Sequence, residues 1–354
     1  MALRRLQVTD FRCLQSAVLE LDPRFTLISG PNASGKTSLL ESMYVLGRGR
    51  SFRTRRLEHL IRNGCERFIV FGEIDATARR VALGVEGTTE GIRAKLSGAK
   101  PSTLAELAAM LPIQIIDPEV HRLIEEGPSR RRRFLDWGVF HVEPRFVGDW
   151  QRYQQALKQR NAALRAHQPR LVTAAWDADL VRYGELLTSA RLRYLAVLGE
   201  QARAIARNLL NMELLLDYRP GWARDLSFPE ALSQSWTNDN DNGATQVGPH
   251  RAEVTIQLNG LGVKDRISRG QQKLLAAALL MAQIKLFPAD SEVQPTLLLD
   301  DPAAELDNER LTGLIREVTS QSVQLIVTTL HPEFSEFGAP GAQFRVEEGK
   351  VRPG

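Results

Sequence analysis

Residues 30–37 read Gly30-Pro31-Asn32-Ala33-Ser34-Gly35-Lys36-Thr37, the spacing GxxxxGK[ST]. Glycine lets the backbone curl, so that successive N–H groups face phosphate oxygens. Lys36 brings a point charge to β and γ phosphates, and the Thr37 hydroxyl suits Mg²⁺. A helix starting at Lys36 directs its positive end at the same anion. An apolar stretch, Arg24–Ser29, precedes the loop, and an apolar-periodic segment, residues 36–46, follows it. The segment Gly30–Thr37 with Ser38 is therefore expected to bind ATP with Mg²⁺.

Three further groups could complete that chemistry. Residues 295–301 read Pro-Thr-Leu-Leu-Leu-Asp300-Asp301, a buried-strand pattern ending in two carboxylates. One carboxylate there can hold the Mg²⁺ shell while its neighbour orients an attacking water. Glu305-Leu306-Asp307 opens the next helical stretch, where Asp307 could equally be an N-cap. Ser268-Arg269-Gly270-Gln271 begins another helical pattern and offers a second anion site, or an ordinary cap. His331 follows an apolar strand pattern at 323–328.

The elements that must position these groups come in two styles. The first 118 residues read as strands at 3–8, 18–21, 24–29, 67–75, 79–86 and 113–116, with helices at 36–46 and 101–111. From Glu119 the pattern turns helical. Apolar residues from Leu180 to Leu209 recur every three or four positions, which predicts one helix of about 35 residues, some 50 Å long. A shorter partner covers 146–166, and Asn238–Gly243 reads as a polar loop. The α/β signal then returns, with a strand at 252–258, a helix at 270–286, a strand at 296–300 and a helix at 307–319. The expected organisation is an α/β unit, 1–118 and 246–354, interrupted by a helical lobe with a short arm at 119–245.

Composition excludes several classes. The 354-residue chain is 43% hydrophobic and 25% charged, as expected for a globular protein with a buried core. The longest apolar run, Leu274–Ala282, is far too short to span a bilayer. The first residues lack the apolar stretch of a signal peptide. Two cysteines, Cys13 and Cys65, form neither a CxxC pair nor a zinc spacing, which fits a reducing cytoplasm. The net charge is +4, and only 8 of 46 basic residues are lysine. Mild arginine-rich basicity is compatible with a polyanion partner.

The order of the motifs carries a resemblance. Phosphate loop, Ser-x-Gly-Gln, Asp-Asp strand, ELD and a strand-end histidine together resemble the ATP-binding-cassette ATPases. Thr9-Asp10-Phe11-Arg12 is similar to the motif of the SMC-like branch. The segments LGRGRSFRT (46–54), PSRRRRFLDWGVFHVEP (128–144), LKQRNAAL (157–164), VGPHRAEV (247–254), SRGQQKLL (268–275) and LDDPAAELD (299–307) closely resemble the RecF family. This resemblance runs from about residue 2 to 350.

It implies a cassette-ATPase head, with a P-loop core and an accessory β-sheet, and a dimer in which each ATP lies between one chain's phosphate loop and the other's Ser268-Arg269-Gly270-Gln271. Lys36, Asp301 and His331 would be catalytic, Thr37 and Asp300 would serve Mg²⁺, and Arg12 and Asp307 would lie by the nucleotide. Gln114 and Glu119 are both candidates for the metal-sensing position. Asp301 replaces the usual glutamate, and a shorter carboxylate suits slow hydrolysis. The family further implies DNA binding and action with RecO and RecR to load RecA at single-strand gaps. Arg50, Arg53, Arg55, Arg56, Arg130 and Arg131 are the candidate DNA contacts, though each cluster could be a solvated face. The competing reading is the ATPase subunit of a transporter. Such subunits place the signature much nearer the phosphate loop than the 232 residues between Lys36 and Ser268.

Overall fold

The computed structural model describes residues 1–75, 80–97, 104–263, 266–288, 291–305, 308–331 and 336–354. They form two compact units, Met1–Val120 with Phe287–Gly354, and His121–Leu286.

In the first unit, the middles of three central strands are runs of Leu, Ile and Val because both faces are covered. Phe25–Ser29, Thr296–Asp300 and Gln324–Thr329 are buried throughout. They pair in parallel within a six-stranded sheet, in the order 350–353, 342–347, 25–29, 324–329, 296–300, 113–116. Only the outermost pair, Ala342–Glu347 with Lys350–Pro353, is antiparallel. Parallel register brings Ser29, Asp300 and Thr329 to one edge of the sheet, where ligands bind in open α/β sheets.

A five-stranded antiparallel sheet completes this unit, in the order 14–20, 2–11, 67–75, 80–88, 91–96. Its strands alternate, with Phe68, Val70 and Ile74 inward on one and Val81, Leu83 and Val85 inward on the next. Helix Lys36–Arg48 packs against both sheets, so Leu39, Leu40, Met43, Val45 and Leu46 are all fully buried. Gln324 stitches the two sheets together: its side chain accepts from Leu3 N (2.9 Å) and donates to Leu3 O (2.7 Å).

The second unit is built on helix Asp177–Leu210, whose 34 residues span about 50 Å. Helices Phe146–Arg165 and Arg269–Lys285 and strand Leu214–Arg219 pack along it. Strand Glu253–Leu258 pairs antiparallel with Leu214–Arg219. These contacts draw residues 246–286 into the helical unit, whereas the sequence groups them with the α/β core. Residues 238–243, read as a loop, instead belong to helix Trp236–Asn242, which ends at Gly243 in the left-handed region. Helix Arg170–Ala174 stands apart from the long helix, and the strands at 91–96, 214–219, 342–347 and 350–353 carry too weak an alternation to be read from sequence.

Candidate nucleotide-binding site

The phosphate loop leaves the sheet at Ser29. Gly30 N–H donates to Thr329 O (3.2 Å), tying the loop to the neighbouring strand's end. Gly30 has φ +156°, and a Cβ there would fall 2.2 Å from Val346 O, so only glycine fits. Gly35, at φ +116°, turns the chain into helix Lys36–Arg48. The Lys36 ammonium folds back over the loop, donating to Gly30 O (2.7 Å) and Pro31 O (2.9 Å). Burial lowers its pKa, while the charges of Asp301 and Asp300 act in the opposite sense. Ser34 Oγ is buried beside it with no hydrogen-bond partner among the described residues.

Thr37 Oγ1 donates to Asp300 Oδ2 (2.9 Å), and Thr328 Oγ1 donates to Asp300 Oδ1 (2.7 Å). Asp301 lies just past the strand's end in the left-handed region, φ +48°, with its N–H on Thr328 Oγ1 (3.0 Å). A hydroxyl and a carboxylate beside a phosphate loop fit Mg²⁺, which takes one or two protein oxygens and fills its octahedron with water and phosphate. Asn32–Ser38, Cys13, Arg53, Pro118, Asp300 and Asp301 enclose a cavity of about 380 Å³. His331 stands at the same sheet edge, exposed and outside the cavity lining, its N–H on Thr329 Oγ1 (3.1 Å).

One charged cluster beside this cavity is absent from the motif reading. Glu41, one turn beyond Thr37, is fully buried and receives Arg12 Nε and Nη2 at 2.8 Å each. Ser51 Oγ also donates to it, and Arg53 Nη1 approaches at 3.5 Å. Arg12 is thus fixed through Glu41. Arg53, grouped by sequence with candidate DNA contacts, lines the nucleotide cavity. A buried glutamate in an apolar-periodic helix, with arginines on both sides in sequence, was the available signal.

Other expected residues lie elsewhere. Gln114 is buried in register with Leu297, three residues before Asp300, so its backbone sits about 10 Å down the strand from the carboxylate edge. Pro118, past that strand's end, reaches the cavity instead. Asp307 lies outside the described residues. Ser268 caps helix Arg269–Lys285 in a full capping box with Gln271, and Ser268 and Arg269 are exposed. Arg131 is locked on Glu253 by two 2.8 Å bonds and also serves the carbonyls of Ile124 and Glu126, a structural clamp rather than a free cation. Arg130 pairs with Glu126 (3.0 Å). Arg50, Arg55 and Arg56 are exposed. Arg251, which could have served the nucleotide or a core carboxylate, donates to Gln246 Oε1 (3.0 Å).

Residues 2–350 match the model of the RecF/RecN/SMC N-terminal domain. The chain is 38% identical over 99% of its length to the DNA replication and repair protein RecF of Yersinia pestis, and likewise to that of Pectobacterium atrosepticum, covering 98% of each. A solved structure of the recombination mediator protein RecF with ATP, described as in the RecFOR pathway, superposes with a TM-score of 0.88 at 26% identity, covering 99% of this chain and 97% of that one. An SMC head domain bound to the winged-helix domain of ScpA shares the fold, with a TM-score of 0.61 at 17% identity over 99% of this chain and 96% of that one. With its phosphate loop, Asp-Asp strand end and whole-length similarity in agreement, the chain belongs to the RecF family.

Proposed function

We propose that the chain is an ATP-dependent DNA-binding ATPase that mediates recombinational repair. The observation that carries this reading is the joining of Lys36, Thr37, Asp300 and Asp301 around one cavity in a chain whose RecF relatives are similar along its whole length. Lys36 holds the β and γ phosphates, Thr37 and Asp300 hold Mg²⁺, and Asp301 orients the attacking water. His331 contacts the γ-phosphate after closure. Two chains close head to head, each presenting Ser268-Arg269-Gly270-Gln271 to the other's ATP. Closure unites two sets of exposed arginines, Arg50, Arg55 and Arg56 among them, on duplex or gapped DNA. Hydrolysis releases the clamp.

The ATP-bound relative, a recombination mediator of the RecFOR pathway, supports RecO and RecR as partners and RecA loading at gaps as the outcome. Among the described residues no helix is long and apolar enough to cross a membrane. That is compatible with a cytoplasmic place, and the whole-chain relatives disfavour the transporter reading. The test measures oligomeric state and ATP turnover with and without gapped duplex DNA, at two salt concentrations. Dimers that need ATP and turnover that rises with DNA are expected. Turnover indifferent to DNA, without ATP-dependent dimers, would overturn the reading.

A further inference from the structure

The helical unit holds a pocket of about 1010 Å³, built within that unit and separate from the nucleotide cavity. Helix Asp177–Leu210, the short helix Arg170–Ala174 and the segment from Pro229 to Trp236 form its walls. Its chemistry is mixed in a definite way. Val181, Leu186, Leu232 and Trp236 supply an apolar floor, while Arg145, Arg160, Arg170 and Arg182 supply cationic charge.

Arg160 is saturated. It is 1% exposed and bonds Asp177 (2.8 Å), Asp239 (2.7 Å) and Thr245 (2.8 Å). The other three are different. Arg145, Arg170 and Arg182 are exposed, and among the described residues no carboxylate lies within ion-pair distance of any of them. Arg170 instead donates to Ser233 Oγ (3.1 Å) and lies 5.6 Å from the centre of the Trp236 ring. That stacking holds its guanidinium at the mouth of the pocket. Glu185 is the one acidic residue of the lining beyond Asp177.

Exposed apolar side chains occur in the lining and on the short helix that carries Arg170. Leu186 is 44% exposed, Val172 46% and Leu171 86%, and the last two share a helix with Arg170. Exposed apolar side chains framed by cationic charge mark an interaction site.

We propose that this pocket docks an acidic peptide segment carrying a bulky apolar side chain. The apolar side chain fills the floor between Leu186, Leu232 and Trp236. The peptide's carboxylates meet Arg145, Arg170 and Arg182, which have no acidic partner of their own. A nucleic-acid strand would satisfy the arginines but leave the apolar floor of Val181, Leu186 and Leu232 without a partner, so the peptide accounts for more of the lining. The proposal does not depend on ATP chemistry, and its test reads binding alone.

Displayed random peptides are selected against the full chain, and an enriched sequence is synthesised with a fluorescent label. Enrichment of Asp and Glu around a Phe, Trp or Leu is expected. The labelled peptide should bind less tightly as salt rises. Its affinity should fall roughly tenfold or more in an Arg145→Glu, Arg182→Glu chain, and again in Leu186→Asp. These positions are exposed, so unchanged circular dichroism and nucleotide binding should accompany the loss. Peptides without acidic or apolar enrichment would overturn the proposal, as would an affinity indifferent to all three substitutions. Labelled oligothymidylate that loses binding in the same variants while the peptide does not would assign the pocket to single-stranded nucleic acid.

Discussion

Thr37 and Asp300 stand 263 residues apart in the chain, yet the threonine hydroxyl donates to the carboxylate at 2.9 Å. The parallel register of strands 25–29, 324–329 and 296–300 makes this approach possible, because it aligns their C-terminal ends. Asp300→Asn keeps one oxygen that both the Thr37 and Thr328 hydroxyls can reach, turns the other into an amide NH2 and removes the charge. Nucleotide affinity in Mg²⁺ should fall roughly tenfold or more, while affinity in chelator changes little. Fluorescent-nucleotide titration under both conditions checks this, and an undiminished Mg²⁺ effect would place the metal elsewhere.

Lys36 and Asp301 should separate binding from chemistry. Lys36→Ala removes the cation now held by the carbonyls of Gly30 and Pro31, so ATP affinity and ATP-dependent dimers should both be lost. Asp301→Asn leaves the phosphate contacts intact, so ATP should bind and trap the dimer with turnover down about a hundredfold or more. Size-exclusion chromatography and phosphate release read the two effects. Parental turnover in Asp301→Asn would move the base to another residue, with His331 the first to test.

The site was legible to the degree that it is local. Gly30, Gly35, Lys36 and Thr37 announce themselves because a loop that wraps phosphate leaves the chain few choices. Asp300 and Asp301 follow from a buried strand ending in charge. Arg53 sits in an arginine cluster in the sequence, and only the folded chain sets it, still exposed, beside Glu41 and the cavity. Arg131 shows the same limit of the sequence. Within an RRRR run it resembles a polyanion contact, but its partner Glu253 is 122 residues away. Helix Trp236–Asn242 was hidden by poor intrinsic propensity, which its buried Asp239 overrides by bonding Arg160.

Gln324 should be worth more than its size suggests. It is fully buried and serves both backbone groups of Leu3, at a register shift in strand Ala2–Phe11. Gln324→Leu fills the space but strands a buried N–H and a buried carbonyl. Stability should drop by about 3 kcal/mol, a change that urea unfolding resolves. A loss within experimental error would mean that the bulge finds other partners.

His250 predicts a pH effect confined to the helical unit. Its Nδ1 faces the Tyr153 hydroxyl (2.6 Å) and its Nε2 faces Thr245 O (3.0 Å), which fixes a neutral tautomer with the proton on Nε2. Burial, aided by nearby arginines, pulls its pKa from 6.5 to about 4. Between those values the unfolded chain binds the extra proton and the native chain does not, so stability falls as pH drops through the window. The loss should reach about 3 kcal/mol at its lower end. His250→Gln should flatten the slope between pH 6.5 and about 5, before most carboxylates titrate. An unaltered slope would assign the proton uptake to another group.

Ser268 separates the proposed shared site from one completed within a single chain. In the isolated chain its hydroxyl caps helix Arg269–Lys285 by accepting from Gln271 N–H at 3.3 Å, and the residue is exposed. A cap alone is worth about 1 kcal/mol, so Ser268→Arg should leave the chain folded. The variant should still bind ATP through its own Lys36. It should fail to dimerise, because a bulky cation then occupies the seam over the partner's γ-phosphate, and turnover and ATP-dependent DNA binding should go with it. Mixing Ser268→Arg chains with Lys36→Ala chains gives the sharper result. In a mixed dimer one site carries both lesions and the other carries neither. Partial turnover should therefore return, from two chains that are each inactive alone. Complementation of that kind has no explanation in a site built from one chain, whereas full activity of Ser268→Arg by itself would reduce the motif to a helix cap.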